Sequence, residues 1–315
     1  MNVLLIAPKF YNYHLRIKEE LEQQGNKVDL FCEYREKYFL FTRFVSSQKK
    51  EQNNLKIQKS ILKYIGNKKY DIVLVIVGRF ITKYFIENLK QQQQQAKFVL
   101  YLWDDVDRCQ SFEIIKSYFD KISSFDRKDC LKYSFEFLPL FYSDEYKPDS
   151  SIKKDISVYG AFFAHSDRLK IINKIAPQTE NGFYYVYISS KIQYLKYKFQ
   201  KLKNHQIHLT TKSIKEHENI KNMQKSTCIL DIQHPSQTGL TIRTIEAIGC
   251  HKKIITTNGD IVNYDFYDPD NILVIDRDKP LIPQNFLKKE YRTLNRKIYE
   301  NYSIHSFIRK LISTD

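Results

Sequence analysis

The chain of 315 residues carries 51 Lys and Arg against 36 Asp and Glu, a net charge of +15, and is 42% apolar. That length suits two domains of roughly 150 residues, and the charge favours an acidic partner: nucleotide phosphate, anionic lipid or nucleic acid. The five cysteines are scattered, odd in number and without a CxxC, which argues against a disulfide framework or zinc site and for a reducing compartment, and no apolar run approaches the roughly 18 residues of a spanning helix.

Met1–Ala7 is apolar but too short for a signal peptide, so a cytoplasmic protein is expected. Val3–Ala7 reads as a buried strand and Tyr13–Gln24 as a helix with Leu15, Ile17 and Leu21 on its apolar face. Gly25 and Asn26 stop that helix, and Val28–Cys32 is the next strand. Strand, helix and strand in this order open a doubly wound α/β domain, whose ligands bind at the carboxyl ends of the strands. The loop from Lys9 to His14 lies at such an end. It has no GxGxxG, which argues against an NAD-type dinucleotide. His14 is a candidate on the acceptor side of a reaction, although a lone His is more often structural.

Phe39–Val45 and Leu55–Ile65 read as helices, Asp71–Val77 as the clearest strand, and Ile81–Leu89 as a helix. Arg79 follows the strand at the same edge. The glutamine run Gln91–Gln95 is expected to be solvated. Phe98–Leu102 is a strand leading into Trp103-Asp104-Asp105-Val106-Asp107-Arg108. Asp104 or Asp105 there serves either as a base for a hydroxyl or as a helix cap, and metal binding by Asp105 and Asp107 is the minority reading. Lys121–Phe125 and Phe135–Pro139 are short strands around a helix, Arg127–Tyr133, capped by Asp126. The polar, Pro-containing stretch Leu140–Ser151 is the expected linker, which divides the chain into domains 1–147 and 148–315.

Ile156–Phe163 restarts the alternation, with Gly160 read as the strand end and Arg168 in the helix that follows, running to Ile175. Gly182–Ser189 and Ile207–Thr210 are strands flanking a helix, Gln193–Lys201. Residues 151–227 hold 14 Lys and Arg against 5 Asp and Glu. Asn271–Ile275 is the last strand, and Phe286–Ile312 is expected to be helical and basic.

The most informative stretch runs from Cys228 to Asn258. Cys228–Ile232 is a strand, His234 to Gly239 a loop, and Thr241 caps a helix that Gly249 ends. Ile254–Thr257 is the following strand. A helix N-terminus offers free N–H groups to an anion. Gly239 lets backbone approach a phosphate, Arg243 can pair with one, and Glu246 can accept from ribose hydroxyls. A solvated i,i+3 pair of Arg243 and Glu246 on an ordinary helix explains the same residues equally well.

The run Thr238-Gly239-Leu240-Thr241-Ile242-Arg243-Thr244-Ile245-Glu246-Ala247-Ile248-Gly249, followed by Lys253–Asn258, resembles the donor motif of GT-B glycosyltransferases. The likeness is to the large retaining group called glycosyl transferases group 1 and to related bacterial lipopolysaccharide and capsule enzymes. Glu246 matches the family's second, ribose-binding Glu. Thr238 stands where the family has its first Glu, the one that contacts the donor sugar. The resemblance implies two Rossmann-like, doubly wound α/β domains facing a cleft, with the terminal helix crossing back to the first. It implies a nucleotide-sugar donor held by Gly160, Arg168, His234, Thr238, Gly239, Leu240, Thr241, Arg243 and Glu246. No cofactor and no metal are expected. The acceptor is a saccharide or lipid-linked glycan met by the loops around His14, Arg79, Asp104 and Asp105, with peripheral contact at the inner membrane. No nucleic-acid partner is expected, because no binding motif accompanies the charge. A nucleic-acid-binding protein and a non-transferring sugar-nucleotide epimerase are the alternatives.

Overall fold

Among the residues that the computed structural model describes, 1–34, 46–199, 204–235 and 237–313, the strands form two six-stranded, wholly parallel α/β sheets. The expected helix Phe39–Val45 lies outside the described residues. Met1–Pro139 and the C-terminal segment from Ile304 make one compact unit, and Leu140–Ser303 makes the other. The chain thus divides just ahead of the expected 147/148 boundary.

In the first unit the strands are β1 (Asn2–Ile6), β2 (Lys27–Phe31), β3 (Ile72–Ile76), β4 (Lys97–Leu102), β5 (Lys121–Ser124) and β6 (Glu136–Phe137), in the order β2-β1-β3-β4-β5-β6. Parallel strands covered on both faces read as unbroken apolar runs. Accordingly β3, with its sequence Ile-Val-Leu-Val-Ile, is buried at every position. The helix Tyr13–Gln23 buries Tyr13, Arg16, Ile17, Glu20 and Leu21, while Leu15 is exposed, so the inward stripe is turned from the one expected. The glutamine run is not all solvated either. Gln93 is buried, and its amide accepts from Tyr70 N and donates to Lys68 O, closing the loop before β3. The helix Ile304–Leu311 belongs to this unit. Phe307 meets Tyr101 edge-on at 4.9 Å, and Lys121 Nζ donates to the Lys310 carbonyl at 2.8 Å, where a cation opposes the negative end of the helix dipole.

The second unit holds β7 (Ile156–Phe163), β8 (Phe183–Tyr187), β9 (Ile207–Thr210), β10 (Ser226–Asp231), β11 (Lys253–Thr256) and β12 (Ile272–Val274), ordered β12-β11-β10-β7-β8-β9. The expected single helix Phe286–Ile312 is instead three: Gln284–Lys288, Arg296–Asn301 and Ile304–Leu311. Buried Lys253 explains the first break, since its ammonium caps the carbonyls of Phe286 and Lys289.

Gly249 ends the helix Ile242–Gly249 against the Tyr142 side chain and the Tyr146 backbone. A Cβ there would meet Tyr142 Cγ at 2.6 Å and the Tyr146 carbonyl at 2.7 Å. Tyr142 cannot swing aside, because it stacks on Tyr299 at 4.8 Å. Gly249→Ala should therefore lose ~2–3 kcal/mol of stability through overpacking. Urea denaturation of both proteins checks this, and a loss below about 0.5 kcal/mol would show that the neighbours yield.

Candidate functional site

In the second unit the chain leaves β7 toward β8 and β9, then returns to place β10 on the other side of β7. The carboxyl ends of β7 and β10 are thus a topological switch point, where the loops separate and leave a crevice for a ligand. The loops at that point run over 164–167 and, among the described residues, 232–235 and 237–241.

Thr241 caps the helix Ile242–Gly249 by accepting from Thr244 N at 3.4 Å. The cap leaves the first N–H groups at the loop. Arg243 forms an ion pair at 3.5 Å with Asp231, the last residue of β10, and Thr244 Oγ1 donates to the same carboxylate at 3.1 Å. Asp231 is fully buried, so the strand end is tied to the helix start.

Arg168 opens the helix Arg168–Ile175. Its Nε donates to the Ile232 carbonyl at 2.6 Å, and its Nη1 meets His165 Nε2 at 2.8 Å. The guanidinium carbons of Arg168 and Arg243 lie 5.9 and 5.4 Å from the same ring, Phe162. Arg277, beyond β12, completes the group. It grips Asp167 with two bonds of 3.1 and 2.6 Å and donates to Gln233 O and Thr257 Oγ1. Burial, then the adjacent Arg243 charge, pushes the Arg168 guanidinium down to about 10, so it remains a cation at neutral pH. Arg277 in turn holds the Asp167 carboxyl below its usual range. Three guanidiniums thus converge on Asp167 and Asp231, with Glu246 one turn beyond Arg243 on the same helix. An anion that displaced water there would relieve the mutual repulsion of the arginines.

The other residues expected in this site fall as follows. His234 is half-buried, its ring 5.6 Å from that of His165. The carbonyls of Thr238 and Gly239 both accept from Asn258 Nδ2, at 2.9 and 3.3 Å, which fixes the loop before the helix. Leu240 turns inward and is core. Glu246 is only 3% exposed, and its charge acts on Tyr159 and Cys250. It is therefore not half of a solvated pair with Arg243. Gly160 is not at a strand end: β7 runs on to Phe163, and Gly160 leaves room for the Phe162 ring, on which the two arginines lean.

Asp231, Asp167 and Arg277 escaped the sequence reading. The only signal for them was position, since each stands at or just beyond the carboxyl end of a strand.

The first unit carries the remaining predicted residues at its own switch point, between β1 and β3. Val77 and Gly78 both take left-handed backbone, with φ 67° and 63°, a strained choice for a β-branched residue. Cys109 Sγ and Ser111 Oγ donate to their carbonyls and hold the turn. The turn presents Arg79, which pairs with Asp104. Asp105 caps the short turn Val106–Arg108 by accepting from Arg108 N at 3.1 Å, so the capping reading holds for it. Burial raises the Asp105 pKa, with the Arg108 charge opposing. His14 is half-buried on the first helix. Among the described residues no group of three or more His, Cys, Asp or Glu is placed to hold a metal ion.

No protein-family model matches the chain, and no curated protein sequence matches it. Solved structures do resemble it. An alpha-glucosyltransferase in complex with UDP and a 13-mer DNA superposes with a TM-score of 0.60 at 13% identity, over 99% of this chain and 96% of that one. AviGT4, a glycosyltransferase involved in avilamycin A biosynthesis, gives 0.64 at 10% identity, over 98% and 95%. The UDP-GlcNAc 2-epimerase of Neisseria meningitidis, bound to UDP-GlcNAc, gives 0.53 at 13% identity, over 99% and 98%. The fold is that of GT-B glycosyltransferases, and it extends over nearly the whole chain.

Proposed function

We propose that the protein is a glycosyltransferase that takes a sugar from a nucleotide-sugar and adds it to a growing surface glycan, of lipopolysaccharide or capsule type, on a saccharide or lipid-linked acceptor. The observation that carries the reading is the cluster of Arg168, Arg243 and Arg277 beside a capped helix N-terminus at the switch point. Fixed cations and N–H dipoles there suit a diphosphate, and they stabilise it further as it leaves with increasing negative charge. Glu246, nearly enclosed, accepts from ribose hydroxyls in a setting where water competes little. Structural neighbours in complex with UDP or UDP-GlcNAc support a nucleotide-sugar as the ligand.

On the acceptor side, assigned to the first unit, Asp105 is the better base of the two candidates. Its burial favours proton uptake against the pull of Arg108, with which it pairs at 3.3 Å, whereas Asp104 is paired with both Arg79 and Arg108.

A second reading is a nucleotide-sugar 2-epimerase. It is favoured by Thr238, which replaces the family's sugar-contacting Glu, and by epimerases among the structural neighbours. Purified protein incubated with UDP-, GDP-, ADP- and CMP-sugars, with and without glycan acceptors, separates the two. Acceptor-dependent release of nucleoside diphosphate is the expected result, and an isomerised sugar nucleotide without acceptor selects the epimerase. If none of these nucleotides binds, both readings fail.

A further inference from the structure

The second unit displays an apolar face that its core does not use. The helix Lys191–Phe199 starts where Ser190 Oγ accepts from Gln193 N at 3.4 Å, and it packs beside β9 with Tyr194 and Tyr197 turned inward and half-buried. Its opposite side presents Ile192, 81% exposed, and Leu195, 51% exposed. These two are one turn apart and therefore share a face. Lys191 and Lys196, both exposed, stand on either side of them. The surrounding sequence has no Asp or Glu between Glu180 and Glu216. Some lysines elsewhere pair with a carboxylate one turn away, as in Lys18–Glu22 and Lys116–Glu113.

The geometry points to a docking face for an anionic lipid surface. Two aliphatic side chains enter the headgroup boundary while lysines on both flanks meet lipid phosphates, the arrangement of an interfacial amphipathic helix. Charge complementarity selects this occupant: an acidic lipid layer satisfies the lysines and the aliphatic pair together, whereas a nucleic-acid backbone leaves Ile192 and Leu195 against water. This face is independent of the nucleotide reading, because none of its residues belongs to the arginine cluster.

The test uses the full chain and vesicles of phosphatidylcholine, alone or with about one-third phosphatidylglycerol. The protein should sediment with the anionic vesicles, remain free with the neutral ones, and be released at about 0.5 M NaCl, where the Debye length shrinks to a few ångströms. The double substitution Ile192→Glu/Leu195→Glu should lower partitioning roughly 100-fold, since two apolar anchors are lost and two like charges are added. Lys191→Gln/Lys196→Gln should weaken it by roughly 10-fold. Unchanged thermal melting would show that the exposed substitutions spare the fold. Failure of the parent protein to bind anionic vesicles, equal binding to neutral ones, or insensitivity to the Glu substitutions would overturn the assignment. A duplex-DNA gel shift abolished by the same substitutions would also overturn it, in favour of a nucleic-acid partner.

Discussion

Arg243→Ala is expected to weaken the binding of a nucleoside diphosphate by roughly 10–100-fold. A charge-assisted hydrogen bond contributes about 1.5–3 kcal/mol, and each 1.4 kcal/mol is a factor of ten. Among the described residues Arg243 has only a long ion pair with Asp231 and a place over the Phe162 ring, which leaves donors for a ligand. Arg243→Lys keeps the charge but loses the planar fork, and should lie between parent and Ala variant. Asp231 keeps the Thr244 hydroxyl as a partner in both variants, so the strand end retains one tie. Titration calorimetry with UDP and GDP, read beside a melting curve, checks the effect. An Ala variant that binds as tightly as the parent would detach the arginine cluster from nucleotide recognition altogether.

Glu33→Gln should change how the stability of the protein depends on pH. Glu33 is fully buried in the first unit, and among the described residues no side chain donates to its carboxyl. Burial raises its pKa from 4.5 to about 7, opposed by its own backbone and by the charge of Arg79. The folded pKa lies above the unfolded one, so the fold prefers the protonated acid. Its contribution is whole below about pH 4.5, declines as pH rises, and is lost by about pH 7. At one pKa unit per 1.36 kcal/mol the swing is ~3 kcal/mol. The Gln side chain is neutral throughout and has no such slope. The stability of the variant relative to the parent should therefore rise by ~3 kcal/mol between pH 4.5 and 8. Comparing the two pH series cancels any fixed cost of burying the amide. Parallel curves would mean that Glu33 is already ionised, or already solvated, in the native state.

Much of this protein is legible one segment at a time. The strand Ile72–Ile76 announces itself because a strand covered on both faces needs an unbroken apolar run. Asp126, Thr241 and Gly249 mark helix ends because orphan N–H groups and tight ends demand particular residues within a few positions. From such local rules the alternation of strand and helix follows, and with it the doubly wound class. They also place Arg243 and Glu246 on a helix that begins at a strand's carboxyl end.

Other features were decided only when the chain folded. Gly160 reads as the end of its strand, yet it lies inside β7 and serves the packing of Phe162, two residues away on the same face. Gln93 looked solvated among its neighbours, but lies where its amide can close a distant loop. Above all, Asp167, Asp231, Arg243 and Arg277 lie far apart along the chain, and Arg277 reaches a partner 110 residues away. No local spacing can encode that meeting. It depends on β10 pairing beside β7, which the sheet settles by burying its most apolar strands at the centre. The sequence by itself therefore determined the elements and the helix that carries Arg243. The tertiary structure decided which charges share one crevice, because strand order brings residues from the ends of three separate strands, β7, β10 and β12, to the same place.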